Sequence, residues 1–128
     1  MQAKILIVDD DPSTLALEER ILQREGYQVL IAVNGLQALR EAMAEEPNLI
    51  ILDLMLPGMD GFEICECLRN SQETSSVPVL VLSAKGREVD KTAALESGAD
   101  AYLAKPVSVS RLLGQVEDML AQKEECGS

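Results

Sequence analysis

Three carboxylates in succession, Asp9-Asp10-Asp11, stand directly behind the apolar run Ile5-Leu6-Ile7-Val8, in a chain of formal net charge −11. Like charges a few ångströms apart raise one another's pKa, so the cluster calls for cations beside it. Asp53 closes another apolar run, Ser83 a third, and Lys105-Pro106 a fourth. A carboxylate, a hydroxyl and an ammonium placed together suit phosphoryl transfer, which needs chiefly positioning and neutralisation of charge. Asp53 would accept the phosphoryl group as an acyl phosphate, Lys105 would neutralise its oxygens, and Ser83 would donate a hydrogen bond to one of them. Mg²⁺ suits the remaining carboxylates, since it takes one or two of them together with waters and phosphate oxygens. Asp9 and Asp10 read as half of that metal site, and Asp11 as the N-cap of a helix that begins at Pro12.

These residues can meet only if the elements carrying them end side by side. Five apolar runs, at 4–8, 29–33, 49–54, 79–82 and 101–104, are short, nearly continuous and rich in Ile and Val, as strands buried on both faces of a parallel sheet are. Segments of helical period lie between them. Leu15, Leu17, Ile21 and Leu22 lead to a stop at Gly26; Asn34 caps a helix through Ala38, Leu39, Ala42 and Met43 that closes at Pro47. Residues 62–68 and 87–96 carry the third and fourth helices, and Val109, Leu112, Leu113, Val116, Met119 and Leu120 mark the fifth. The alternation predicts an α/β domain, helices covering both faces of a parallel sheet. In such sheets ligands bind outside the carboxyl ends of the strands, where Asp9, Asp53, Ser83 and Lys105 fall. The second run ends in Ala32-Val33-Asn34, which suits an edge strand away from the site. The domain is expected over 1–122, with 123–128 a flexible tail.

Composition narrows the function. Twenty-two acidic against eleven basic residues make a surface that repels nucleic-acid phosphates and anionic lipid, so neither direct nucleic-acid binding nor membrane association is expected. No apolar run reaches the ~18 residues that span a bilayer. There is no signal-peptide pattern, and three cysteines, Cys65, Cys67 and Cys126, form no disulfide framework; a reducing cytoplasm is the expectation. The absence of histidine removes zinc–histidine sites and Ser-His-Asp triads, and places any phosphohistidine donor on another protein.

The segments ILIVDDDP, LIILDLMLPGMDGFE, VPVLVLSAK and GADAYLAKP, in this order over residues 3–122, resemble the receiver domain of two-component response regulators. The resemblance implies a flavodoxin-like, doubly wound five-stranded sheet in order 2-1-3-4-5, with Asp53 as phospho-acceptor. It makes Asp10, Asp53 and the backbone carbonyl of Met55 the direct Mg²⁺ ligands, with Asp9 holding the metal through water. Ser83 matches the family's switch hydroxyl, Tyr102 its switch aromatic, and Lys105 its phosphate-binding lysine, whose bond to Pro106 is cis. Pro57, Gly58, Asp60 and Gly61 read as a tight loop supporting Asp53, with Asp60 a helix cap. Met55 and Lys85 occupy the positions that influence phosphoryl lifetime in the family, and Val107 stands where many DNA-binding members carry an aromatic.

By that resemblance the protein is a signalling switch and not an enzyme acting on an external substrate. Its partners would be a sensor histidine kinase or phosphotransfer protein and an output domain or downstream target. Phosphorylation would alter the surface of helix four, strand five and helix five, and homodimerisation through it is expected. Two other readings compete. One is a pure interaction module with a vestigial pocket, against which the complete set of five site residues argues. The other is a hydrolase of the haloacid-dehalogenase type, for which Asp9 and Asp11 supply a D-x-D spacing but no cap domain is evident.

Overall fold

The computed structural model describes residues 3–54, 56, 60–83 and 88–127, with the side chains of 88–90 and 123–127 outside that description. The order of elements is β1 (Lys4–Val8), α1 (Pro12–Arg24), β2 (Gln28–Ala32), α2 (Gly35–Glu45), β3 (Leu49–Asp53), α3 (Gly61–Asn70), β4 (Val79–Ser83), α4 (Glu88–Glu96), β5 (Ala101–Ala104) and α5 (Val109–Gly127). The strands form one parallel sheet in order β2-β1-β3-β4-β5. Both the doubly wound fold and its strand order match the expectation.

Alternation of side chains along each strand divides the apolar residues between two layers. Ile5, Ile7, Leu49, Ile51, Leu80 and Leu82 pack with Leu15 and Leu22 of α1 and with Leu112, Val116 and Met119 of α5. Leu6, Val8, Ile50, Leu52, Val79 and Val81 point the other way, onto Ala38 and Ala42 of α2, Ile64 and Leu68 of α3, and Ala94 of α4. The sheet is therefore buried on both faces, which is why its strands read as unbroken hydrophobic runs rather than alternating ones.

Local signals set the helix ends. Asp11 caps α1, accepting from the Ser13 N–H at 3.2 Å and the Thr14 hydroxyl at 2.7 Å. That helix closes with Gly26 at φ +91°, its N–H bonded to the Gln23 carbonyl and the Tyr27 N–H to that of Leu22, the paired bonds of a Schellman motif. Asn34 caps α2 and Asp60 caps α3, through the N–H groups of Gln37 and Glu63.

Several boundaries shift by one or two residues from the sequence reading, and three differences have a local reason. The second strand sits one residue earlier, because it pairs in register with β1 from Lys4↔Gln28 to Val8↔Ala32. The inward face of α1 is Leu15, Glu18 and Leu22, while Leu17 is 58% exposed. Spacings of three and four bring those three residues onto one face and rotate Leu17 away from it. Finally, α5 continues to Gly127 through the segment expected as a tail, as Ala121, Gln122, Lys123, Glu124 and Glu125 are good helix formers with no stop signal among them. Arg87, expected to open the fourth helix, lies outside the described residues.

Candidate functional site

The parallel register brings the carboxyl ends of four strands to one edge. Val8 pairs with Leu52, Asp53 with Leu82 and Ser83 with Ala104, so the residue that ends or follows each strand meets its neighbours there. The ladder runs one step further: Leu54 N–H donates to the Leu82 carbonyl at 3.0 Å, and Lys105 N–H to that of Ser83 at 2.7 Å. Ser83 is fully buried, and the Lys105–Pro106 bond is cis.

Asp9, Asp10 and Asp53 each offer a carboxylate oxygen within 4.8 Å of the others. Asp9 is 2% exposed, Asp10 exposed and Asp53 intermediate, so the cluster is walled on one side and open to solvent on the other. The Lys105 ammonium reaches over both deeper carboxylates, 3.2 Å from Asp9 Oδ2 and 3.1 Å from Asp53 Oδ2. Burial alone would lower the pKa of that ammonium, but Asp53 and Asp9 outweigh it and hold Lys105 above its usual value. The other oxygen of Asp9 accepts the Asp11 N–H at 2.9 Å, fixing the carboxylate against the start of α1. Among the described residues, three carboxylates against one ammonium leave a negative site of hard oxygen donors, the donor chemistry that fits Mg²⁺.

Of the residues expected at the site, Asp9, Asp10, Asp53 and Lys105 come together, with Ser83 at the adjoining strand end. Tyr102 lies in β5, opposite Val81, and its half-buried ring packs on the α2/α3/α4 layer. Ser83 follows Val79 and Val81 by the same alternation, so both switch candidates belong to the α4 side of the sheet. Met55, Pro57, Gly58 and Lys85 lie outside the described residues. Two residues escaped the sequence reading. Glu18 is buried close enough to feel the charges of Asp9, Lys105 and Asp53; burial first, then Asp9, push its carboxyl up to about 7. Its spacing from Leu15 and Leu22 was the available signal. Arg69 ties the end of α3 to the carbonyls of Val77 (2.6 Å) and Gly98 (2.9 Å) and to the Asp100 carboxylate (2.6 Å), contacts that no local pattern announces.

Residues 5–117 match the family model of the response regulator receiver domain. The chain belongs to that family. This receiver is 44% identical over 124 residues to the alkaline phosphatase synthesis transcriptional regulatory protein PhoP of Bacillus subtilis, a match that covers 97% of the chain and 51% of PhoP. It spans about half the length of the curated relatives it matches. Among solved structures, a CheY-like receiver domain protein from Methanospirillum hungatei superposes with a TM-score of 0.91 at 32% identity, covering 98% of both chains. The receiver domain of the sensor histidine kinase PA1611 from Pseudomonas aeruginosa, described with a magnesium ion coordinated in its active site cleft, superposes with a TM-score of 0.88 at 29% identity, covering 94% of this chain and 99% of that one.

Proposed function

We propose that this receiver is a phosphorylation-dependent switch that takes a phosphoryl group on Asp53 from the phosphohistidine of a partner kinase or phosphotransfer protein. The observation that carries the reading is the Lys105 ammonium held between Asp9 and Asp53 at one strand edge. An oxygen of the Asp53 carboxylate forms the new O–P bond as the donor's P–N bond breaks, and the released electron pair stays on the imidazole nitrogen. Lys105, already paired to Asp53, is placed to follow the charge onto the phosphoryl oxygens. Ser83, at the next strand end, would donate its hydroxyl to one of them. Asp10, Asp53 and the Met55 carbonyl would hold Mg²⁺ directly and Asp9 through water, and the bound ion would supply positive charge to offset that of the transferring group. The magnesium ion in the active site cleft of the PA1611 receiver supports Mg²⁺ as the ion.

The added charge and acceptors would draw Ser83 towards the phosphoryl group and let Tyr102 repack on the same side of the sheet, changing the surface of α4, β5 and α5. An output domain or downstream target would read that surface, as would a second copy of the chain. The reaction belongs to the cytoplasm, where such kinases present phosphohistidine. Incubation with Mg²⁺ and acetyl phosphate tests the core of the proposal by intact-mass measurement. Wild type should gain one phosphoryl group and Asp53→Asn none; a modified Asp53→Asn, or an unmodified wild type, would overturn it.

A further inference from the structure

Between α1 and α5, beside the β5–α5 loop, lies a cavity of about 460 Å³ with apolar walls that include Leu17, Ile21, Val107, Val109 and Leu112. Three polar side chains interrupt them: Thr14, Glu18 and Lys105. The Thr14 hydroxyl donates to Asp11, and the Lys105 ammonium is engaged by Asp9 and Asp53. Glu18 is different. It is 7% exposed, and its carboxyl has no hydrogen-bond or ion-pair partner among the described residues. A buried carboxyl left so is costly unless something completes it.

The surroundings select what that something is. Among the described residues, Asp9, Asp10 and Asp53 outnumber the Lys105 cation near the cavity, so their field favours a positive guest and opposes a negative one. The volume lies within the range of ~300–1,000 Å³ typical of small-molecule sites, and the walls suit a hydrocarbon body. We propose that this cavity binds a small organic ammonium, an alkyl or aryl amine whose hydrocarbon part lies against Ile21, Val109 and Leu112 and whose head pairs with Glu18. The elevated pKa of Glu18 agrees: a cation beside it would bring the carboxyl back down. Lys105 forms part of both this cavity and the acidic cluster, so occupancy is felt at the reaction centre.

The site needs neither Mg²⁺ nor modification of Asp53, which separates its test from that of the switch. Methyl and amide NMR spectra of the whole chain, in Mg²⁺-free buffer at neutral pH, would be recorded during titration with hexylamine, 1-hexanol and hexanoate. Hexylamine should give saturable shifts at Ile21, Val107, Val109 and Leu112, at least tenfold tighter than 1-hexanol, with no response to hexanoate. Glu18→Gln should lose at least tenfold for hexylamine and keep its affinity for 1-hexanol. Should that variant fold poorly, the ranking of the three ligands on wild type decides alone. Absence of saturable shifts, equal affinity for the three, or shifts confined to Asp9, Asp10 and Asp53 would overturn the proposal.

Discussion

At the scale of single residues, the site is a balance between burial and neighbouring charge, and a different one of the two wins at each group. Lys105 keeps its proton because two carboxylates lie within 3.2 Å, despite the desolvation that opposes it. Glu18, which has no such partner among the described residues, is pushed towards its neutral form instead: burial first, then Asp9, raise its carboxyl from 4.5 to about 7. A carboxyl whose folded pKa exceeds its unfolded one favours the folded state while protonated, fully below about 4.5, and that contribution is lost as pH rises through about 7. The gap corresponds to roughly 3 kcal/mol. Urea unfolding of wild type and Glu18→Gln across this window should therefore show the wild type losing stability relative to the variant as pH rises. A difference that stays flat with pH would contradict the assignment.

At the scale of elements, two contacts hold the frame around the strand ends. Gly61 opens α3 where a Cβ would stand 2.8 Å from Leu54 Cδ1 and 2.9 Å from Leu54 Cα, so Gly61→Ala must push back the residue next to Asp53. Overpacking of this kind costs about 1–3 kcal/mol, measurable as a lowered urea midpoint, and should also slow acetyl phosphate labelling. Arg69 secures the opposite end of α3. Its guanidinium serves the Val77 and Gly98 carbonyls and the Asp100 carboxylate, which also accepts the Val79 N–H at 2.8 Å. Arg69→Ala leaves these acceptors short of a donor, at about 1–3 kcal/mol. Arg69→Lys should recover little of the loss, because one ammonium cannot span the fork; full recovery of the unfolding midpoint would refute that account.

At the scale of the whole molecule, a net charge of −11 repels itself, and three of its carboxylates gather at the sheet edge. Salt relieves the general repulsion, whereas a site-bound ion adds a specific term. Mg²⁺ at a hundredfold excess over its Kd should stabilise the fold by about 2.7 kcal/mol. At matched ionic strength, thermal unfolding should rise with MgCl₂ over NaCl in wild type, and this increment should vanish in Asp10→Asn. An equal increment in the variant would place the ion elsewhere.

Much of this molecule was determined by its sequence alone. Unbroken Ile/Val/Leu runs mark strands covered on both faces, because no solvated face is present to interrupt them. Asp11, Gly26, Asn34 and Asp60 announce helix ends because capping is local chemistry, settled within four residues. Asp9, Asp53, Ser83 and Lys105 were legible as a group, since residues at equivalent strand ends become neighbours in any parallel sheet. Tertiary structure alone decided the rest. The 3.1 Å approach of Lys105 to Asp53 spans fifty-two positions of chain, Arg69 reaches acceptors on two other segments, and Glu18 is buried because Leu15 and Leu22 fix the rotation of α1 against the sheet. A charged residue in a helix reads as solvated until the helix is docked, and docking is a property of the assembled layers rather than of any short stretch of chain.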